Sequence, residues 1–277
     1  MWLRPLGFGE TLDEIFRFYR RNFLLMAVLA LLPTLPPLLF QIGSGQPAQY
    51  GQLAGAFANL GNPQYLPTAG PFSGLGLALL LTSYLVAIAL SPFSTGLVQR
   101  AGLDVAFAQP TTIWLVLRAV ARRYLGLLAV LLLTLLVALP MVTCLLIPLS
   151  LWILVRWSVA VPVMLAEGAG PLTAISRSWD LTRGSWWRVF GILIVVFLIQ
   201  YVGGLLVSEI GLPVALAVPF LPPLARGLVL VTVNTVGGAL LAPISGLCFV
   251  LIYLDVRVRL EHLDLWQLAD QAVAAVR

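Results

Sequence analysis

The chain has 277 residues, 60% of them apolar and only 10% charged. Soluble domains typically carry about 25% charged residues, so a soluble fold of this length would lack the polar surface to cover itself, whereas a bilayer solvates an apolar exterior. The net charge of +5 rests on 16 arginines with no lysine, and their distribution along the chain reads as membrane orientation rather than as a nucleic-acid face.

Residues 1–22 carry Glu10, Asp13 and Glu14, which do not suit the basic n-region of a cleavable signal. The first apolar stretch, 23–42, is therefore expected as a retained span. A spanning helix needs about 20 mostly apolar residues, and five further stretches qualify: 74–98, 124–143, 145–166, 187–208 and 227–254. The third and fourth form one apolar run, divided near Pro140 and Pro148 by a tight turn. The segment 43–73 has no charge and is rich in Gly, Pro, Gln, Asn and Ala. It reads as a loosely packed external loop, or as a loop carrying a short helix near 52–60. The run LPVALAVPFLPPL at 212–224 holds four prolines and is expected as a re-entrant or interfacial segment between Glu209 and Arg226, two charges placed to pair.

Arginine placement fixes the expected orientation. Arg4, Arg17, Arg20 and Arg21 precede the first span. Arg100, Arg118, Arg122 and Arg123 lie between the second and third, and Arg177, Arg183 and Arg188 between the fourth and fifth. Arg257, Arg259 and Arg277 follow the sixth. All of these fall on one side of a six-span arrangement, which is the cytoplasmic side, with both termini inside. Asp255, Arg257, Arg259, Glu261 and His262 read as a solvated face, followed by Leu263, Leu265, Trp266 and Leu268 as an interfacial or docking helix.

Each odd-numbered span is preceded by a similar element: GETLDEIFRFYRRNF, QPTTIWLVLRAVARRY and GPLTAISRSWDLTRGSWW. Each is a short amphipathic stretch ending in arginine and aromatic residues, suited to the headgroup region. Interfacial helices are expected over 9–22, 110–123 and 171–184. Thr11 and Glu14 have capping-box spacing, Pro110 and Pro171 suit a first helical turn, and Gly184 suits a left-handed helix end. In the first element Leu12, Ile15, Phe16 and Tyr19 recur at helical spacing. Arg20, Arg21, Arg122, Arg123, Arg183, Trp186 and Trp187 are the expected interfacial residues. The fold class is thus an all-α integral membrane protein, a single domain over 1–277. It is a six-transmembrane helix bundle built as three parallel repeats of interfacial helix plus two spans, unlike inverted-repeat transporters.

Three segments, RPLGFGETLDEIFRFYRRNF at 4–23, RSWDLTRGSWWRVFGI at 177–192 and YLDVRVRLEHLDL at 253–265, resemble the membrane domain found in some glycerophosphoryl diester phosphodiesterases. In that family the domain occurs ahead of a catalytic barrel and also alone. The resemblance implies a membrane module without the barrel's His/Glu/Asp metal chemistry, since residues 255–277 leave no room for a barrel and the chain holds one histidine.

Arg156 stands out inside the fourth span. Eleven residues before Glu167, it lies about 16 Å along an unbroken helix, a depth at which arginine costs about 2.5–3.5 kcal/mol. It either binds an anionic headgroup or substrate, or bonds backbone carbonyls or Gln200. Asn234, Gly238, Ala242 and Gly246 form a stripe at i, i+4 spacing, suited to internal packing or to a homodimer seam. Cys144 and Cys248 stand in no CxxC and read as packed apolar residues. Nothing is spaced for a metal, and neither HExxH nor GxSxG occurs. No catalytic residue and no cofactor is expected. The expected role is a non-catalytic scaffold, anchor or assembly partner in envelope or lipid-related processes. The alternative is a small transporter or lipid-handling protein using Arg156. Expected partners are the lipid bilayer, anionic lipid and other membrane proteins, and not nucleic acid.

Overall fold

The computed structural model describes residues 7–58, 73–143, 145–216 and 222–261, and of these 89% are helical with no strand. The elements are α1 (Phe8–Arg21), α2 (Phe23–Leu31), α3 (Leu35–Gly43), α4 (Gln46–Ala58), α5 (Gly74–Ala106), α6 (Ile113–Ala121), α7 (Tyr124–Ala138), α8 (Ile147–Trp157), α9 (Ala160–Glu167), α10 (Pro171–Leu181), α11 (Trp186–Leu216) and α12 (Pro223–Glu261). Among the described residues six apolar segments are long enough to cross a membrane: Phe23–Gly43, Gly74–Ala106, Tyr124–Met141, Ile147–Glu167, Trp186–Gly211 and Pro223–Glu261. Amphipathic helices precede the first, third and fifth of these, as the three similar sequence elements predict.

The helix starts follow local chemistry, with two corrections to the sequence reading. α1 begins at Phe8, where the Gly7 amide donates to Glu10 Oε2 at 2.7 Å. Glu10 satisfies a free amide and sits at the positive end of the helix. Thr11 is already helical and donates to the Gly7 carbonyl, so the Thr11–Glu14 box is not the cap. α6 begins at Ile113, with Thr112 Oγ1 accepting from the Leu115 amide. Pro110 therefore lies before the helix rather than in its first turn, because a side-chain acceptor at the cap outweighs a merely compatible proline. Pro171 does open α10, and Gly184 takes the left-handed conformation (φ 87°). The first span is bent where Pro33, Pro36 and Pro37 interrupt the ladder: a single 3-10 turn, Leu32–Thr34, separates α2 from α3.

Part of the expected external loop is ordered as a helix, α4; residues 59–72 lie outside the described residues, as do Cys144 and the stretch after Glu261 with His262, Leu263, Leu265, Trp266 and Leu268. The proline-rich run also begins differently from expectation. α11 continues through Pro213 to Leu216, and α12 starts at Pro223.

The described residues group into two compact units. In one, made of 7–26, 92–197 and 243–261, the end of α12 is the central element. Residues 250–256 are buried on every side, as expected of a helix that is surrounded by others. Small residues bring neighbours close. A Cβ on Gly246 would stand 2.6 Å from Val98 Cγ1, and one on Gly96 2.9 Å from Leu127 Cδ1. Ile15, Val116, Val120, Val163 and Ala174 complete this core from α1, α6, α9 and α10.

The other unit comprises 27–58, 73–91, 198–216 and 222–242 of the described residues. Here α4 lies backbone to backbone against the start of α12. A Cβ on Gly51 would collide with the Pro223 carbonyl oxygen, and one on Gly227 with the Pro47 carbonyl oxygen. A Cβ on Gly76 would stand 2.7 Å from the Ser44 carbonyl oxygen. Only glycine permits these approaches, and they fix the position of α4.

Candidate functional site

Arg156 closes the last turn of α8, within the apolar segment Ile147–Glu167. The fourth span is not one straight helix. It breaks at Ser158 and Val159, and α9 and α10 then form an antiparallel hairpin through Gly168, which is left-handed at φ 76°. The break frees the Arg156 carbonyl, which accepts from the Ser178 hydroxyl at 2.7 Å and the Thr182 hydroxyl at 3.4 Å. Both donors are fully buried on α10. The guanidinium donates to the Trp179 carbonyl at 3.3 Å and lies over the Trp152 and Trp179 rings, 5.4 and 5.2 Å from their centroids. These rings meet edge to face, and Trp186 Nε1 donates to the Trp152 carbonyl. Arg156 is therefore the partner of the amphipathic helix, not of an open hydrocarbon-facing position.

Gln200 has a different partner. Its amide donates to the Leu241 carbonyl at 2.9 Å, two residues before Pro243 in α12. The small-residue stripe also separates. Asn234 accepts from the Ser208 hydroxyl at 3.0 Å and donates to the Leu230 carbonyl. A Cβ on Gly238 would meet nothing, Ala242 is exposed, and Gly246 is buried against Val98. The close approach on this part of α12 belongs instead to Gly237, where a Cβ would collide with the Val207 side chain.

At the end of α12 the expected solvated face is only partly solvated: Arg259 is exposed, Arg257 and Glu261 are half-buried and Asp255 is buried. Asp255 is 4% exposed and accepts from Arg188 at 3.1 Å and from Arg259 at 3.0 Å, while Arg188 also reaches Thr11 at 3.5 Å. A second cluster joins three elements. Glu167 at the end of α9 accepts from Tyr253 at 3.1 Å and from Arg177 at 3.3 Å. Arg177 also pairs with Glu261, which accepts from Arg257 at 2.8 Å. Burial works against the Arg177 charge, but its hydrogen bond to Glu261 and the field of Glu167 outweigh that and hold its pKa above the ordinary value. The spacing of Tyr253, Arg257 and Glu261, and of Asp255 and Arg259, is the helical i, i+4 signal that points to this arrangement in the sequence. The long-range partners, Glu167, Arg177 and Arg188, have no such local signal.

Two of the expected interfacial arginines differ in role. Arg123 donates to the Met164 and Ala169 carbonyls, at 3.2 and 3.5 Å, and Arg100 donates to the Leu165 carbonyl at 3.1 Å while pairing with Asp104. Together they cover the carbonyl end of α9, where a helix dipole favours cations. Arg20, Arg21, Arg122 and Arg183 are exposed, as is Trp187, whereas Trp186 is half-buried and stacks on Phe190. Cys248 is fully buried. Among the described residues no three His, Cys, Asp or Glu side chains gather as metal ligands.

In the other unit Gln41, Gln46, Tyr50, Tyr84, Ser208 and Asn234, with Leu230 and Val231, border a cavity of about 550 Å³ that no charged residue lines among the described residues. Arg226 lies beyond it, with Nη1 3.3 Å from where a Gly55 Cβ would be, and Glu209 is exposed on α11.

No known protein family, curated protein or solved structure matches this chain.

Proposed function

We propose that the chain is a non-catalytic multi-pass membrane module. It crosses the bilayer six times with both termini in the cytoplasm, and its arginine-bearing helices form a platform on which other membrane-associated proteins assemble. The observation that carries this reading is the ion-paired cluster of Glu167, Arg177, Tyr253, Arg257 and Glu261. It fastens an amphipathic helix to the ends of two apolar ones, so the polar elements are part of the folded body rather than tethers. The carboxylates there are occupied by arginines, which suits a rigid support and not acid–base chemistry. The outward residues have the chemistry of a bilayer edge. Arg20, Arg21, Arg122 and Arg183 are exposed beside Phe16, Trp114 and Trp187, a pairing of cations with amphipathic rings that favours anionic headgroups. The resemblance of 4–23, 177–192 and 253–265 to the membrane domain of glycerophosphoryl diester phosphodiesterases supports the same role.

The reading is tested in intact cells by placing photo-reactive residues at Arg20, Trp114 and Arg183 in the full chain. Protein adducts that recur at two or more of these positions, and vanish when Arg177→Ala and Glu261→Ala loosen α10, are the expected result. Adducts to lipid alone would leave an anchor and remove the platform. The anion-transport alternative would have to use Arg156, whose guanidinium lies over two indole rings and donates to a carbonyl while its buried Nε has no hydrogen-bond partner.

A further inference from the structure

The cavity bordered by α3, α4, α5, α11 and α12 belongs to neither the arginine-bearing helices nor Arg156. We propose that it binds a neutral, hydroxyl-rich headgroup, of the glycosyl or polyol class.

Three observations carry this. First, the lining sets uncharged polar groups beside the apolar side chains of Leu230 and Val231. Gln46, Tyr50, Ser208, Asn234 and Thr235 offer amides and hydroxyls, and no Asp, Glu, Arg or His lines the cavity among the described residues. An anion or a metal ion would find no countercharge there, whereas a ligand bearing several hydroxyls, each both donor and acceptor, matches such a set. Second, the polar groups are held in place and retain bonding capacity. Gln46 is 8% exposed and donates to the Tyr50 hydroxyl at 3.1 Å, which orients that hydroxyl so that its own proton points elsewhere. Asn234 accepts from Ser208 and donates one amide proton to the Leu230 carbonyl; an amide has a second proton and a second lone pair. Third, the aromatic faces are present. Tyr50 and Tyr84 are 42% and 49% exposed, and a ring with an apolar body and a polar tip suits the C–H face of a sugar beside its hydroxyls. A volume of about 550 Å³ lies within the usual range of small-molecule sites. An extended peptide is a poorer fit, because the walls are helical and offer no strand edge to extend.

The glycines explain why the site persists. Gly51 against Pro223 and Gly227 against Pro47 fix α4, and with it Gln46 and Tyr50, opposite Asn234. By sequence α4 belongs to the connection on the side where Arg226 stands apart from the other arginines, so on the topology proposed above the headgroup comes from the outer leaflet or from outside the cell.

The test uses the full chain purified in a zwitterionic detergent that has no sugar headgroup. Native mass spectrometry and thermal-shift measurements compare methyl β-glucoside, monoglucosyl diacylglycerol in nanodiscs, phosphatidylglycerol and phosphatidylcholine. At least one glucosyl probe is expected to bind about tenfold more tightly than phosphatidylglycerol. Binding of both glucosyl probes means that the free sugar suffices, and binding of the lipid alone means that the source is lipid-borne; either supports the site. Tyr50→Phe removes one hydroxyl and is expected to weaken binding about fivefold, the factor that one net hydrogen bond of ordinary strength gives. Asn234→Ala is expected to weaken it further, and Tyr50→Phe decides alone if Asn234→Ala does not fold. Retention of neither glucosyl probe above phosphatidylglycerol, or equal retention by wild type and Tyr50→Phe, overturns the proposal. These outcomes are independent of the cross-linking at Arg20, Trp114 and Arg183.

Discussion

Arg156 shows how a residue's meaning depends on the helix that carries it. On a continuous span it would be an isolated cation far from water, and a functional site would be its natural explanation. The break after Trp157 changes this, because the freed carbonyl and the guanidinium of one residue become acceptor and donor for the same stretch of α10. We therefore expect Arg156→Gln to lower stability by about 2 kcal/mol, the scale of one hydrogen bond plus a half-buried cation–π contact. Arg156→Lys should recover part of the loss, since the charge remains over the rings while the planar fork is gone. Thermal unfolding of the detergent-solubilised chain measures both. Unchanged melting for Arg156→Gln would show that the clasp is idle. A second expectation concerns the carbonyl side. Ser178→Ala leaves a buried acceptor with a weaker partner and should cost about 1 kcal/mol, whereas the same change at exposed Ser176 should be silent.

Among the elements, glycine placement separates what the sequence makes legible from what it does not. The i, i+4 stripe Asn234, Gly238, Ala242 and Gly246 is easy to read, and its last member does stand close to Val98, yet around Gly238 the close approach is made by Gly237, one position round the helix. Periodicity finds which residues are small, but the partner's position decides which of them must be, and Val207 lies far off in sequence. Replacing Gly237 by Val should destabilise α11 against α12, since the new side chain has no room beside Val207. Gly238→Ala should be neutral or slightly stabilising, because alanine favours helix and meets no neighbour there. Circular dichroism melts of the pair give the answer in one experiment. For α4 the same limit applies. An uncharged loop rich in Gly and Pro reads as irregular or as carrying a short helix near 52–60, because the close packing of its Gly51 against Pro223, and of its Pro47 against Gly227 of α12, has no local signal. Gly227→Val should release α4 while leaving α10 in place, read as faster hydrogen exchange confined to 46–58. The six apolar segments and the three amphipathic helices, by contrast, are written directly in hydropathy and arginine spacing, and agree with the sequence reading to within a few residues at most ends.

For the whole molecule, the question is which charges are available to an outside partner and which hold the fold. Fourteen arginines placed on one side by sequence suggest a uniformly cationic face. In the described residues this set divides. Arg100, Arg123, Arg177, Arg188, Arg257 and Arg259 are bound to carboxylates or helix-end carbonyls, while Arg20, Arg21, Arg122 and Arg183 face outward. Salt screens the two sets unequally, since exposed charges lose most of their reach beyond about 8 Å at physiological ionic strength and half-buried pairs are screened much less. Attachment to anionic bilayers through the outward set should therefore weaken steeply with salt, while the fold itself should not. The orientation that underlies this is testable by cysteine labelling in sealed vesicles, after Cys144 and Cys248 are replaced by alanine. Cysteines at Arg20 and Arg259 should react with an impermeant maleimide from the same face, and one at Gln49 only from the other. Labelling of Arg20 and Gln49 from a single face would break the topology, because the one long apolar segment between them, Phe23–Gly43, would then not cross. The assignment of the arginine-bearing helices to the cytoplasm and of the uncharged cavity to the opposite leaflet would fall with it.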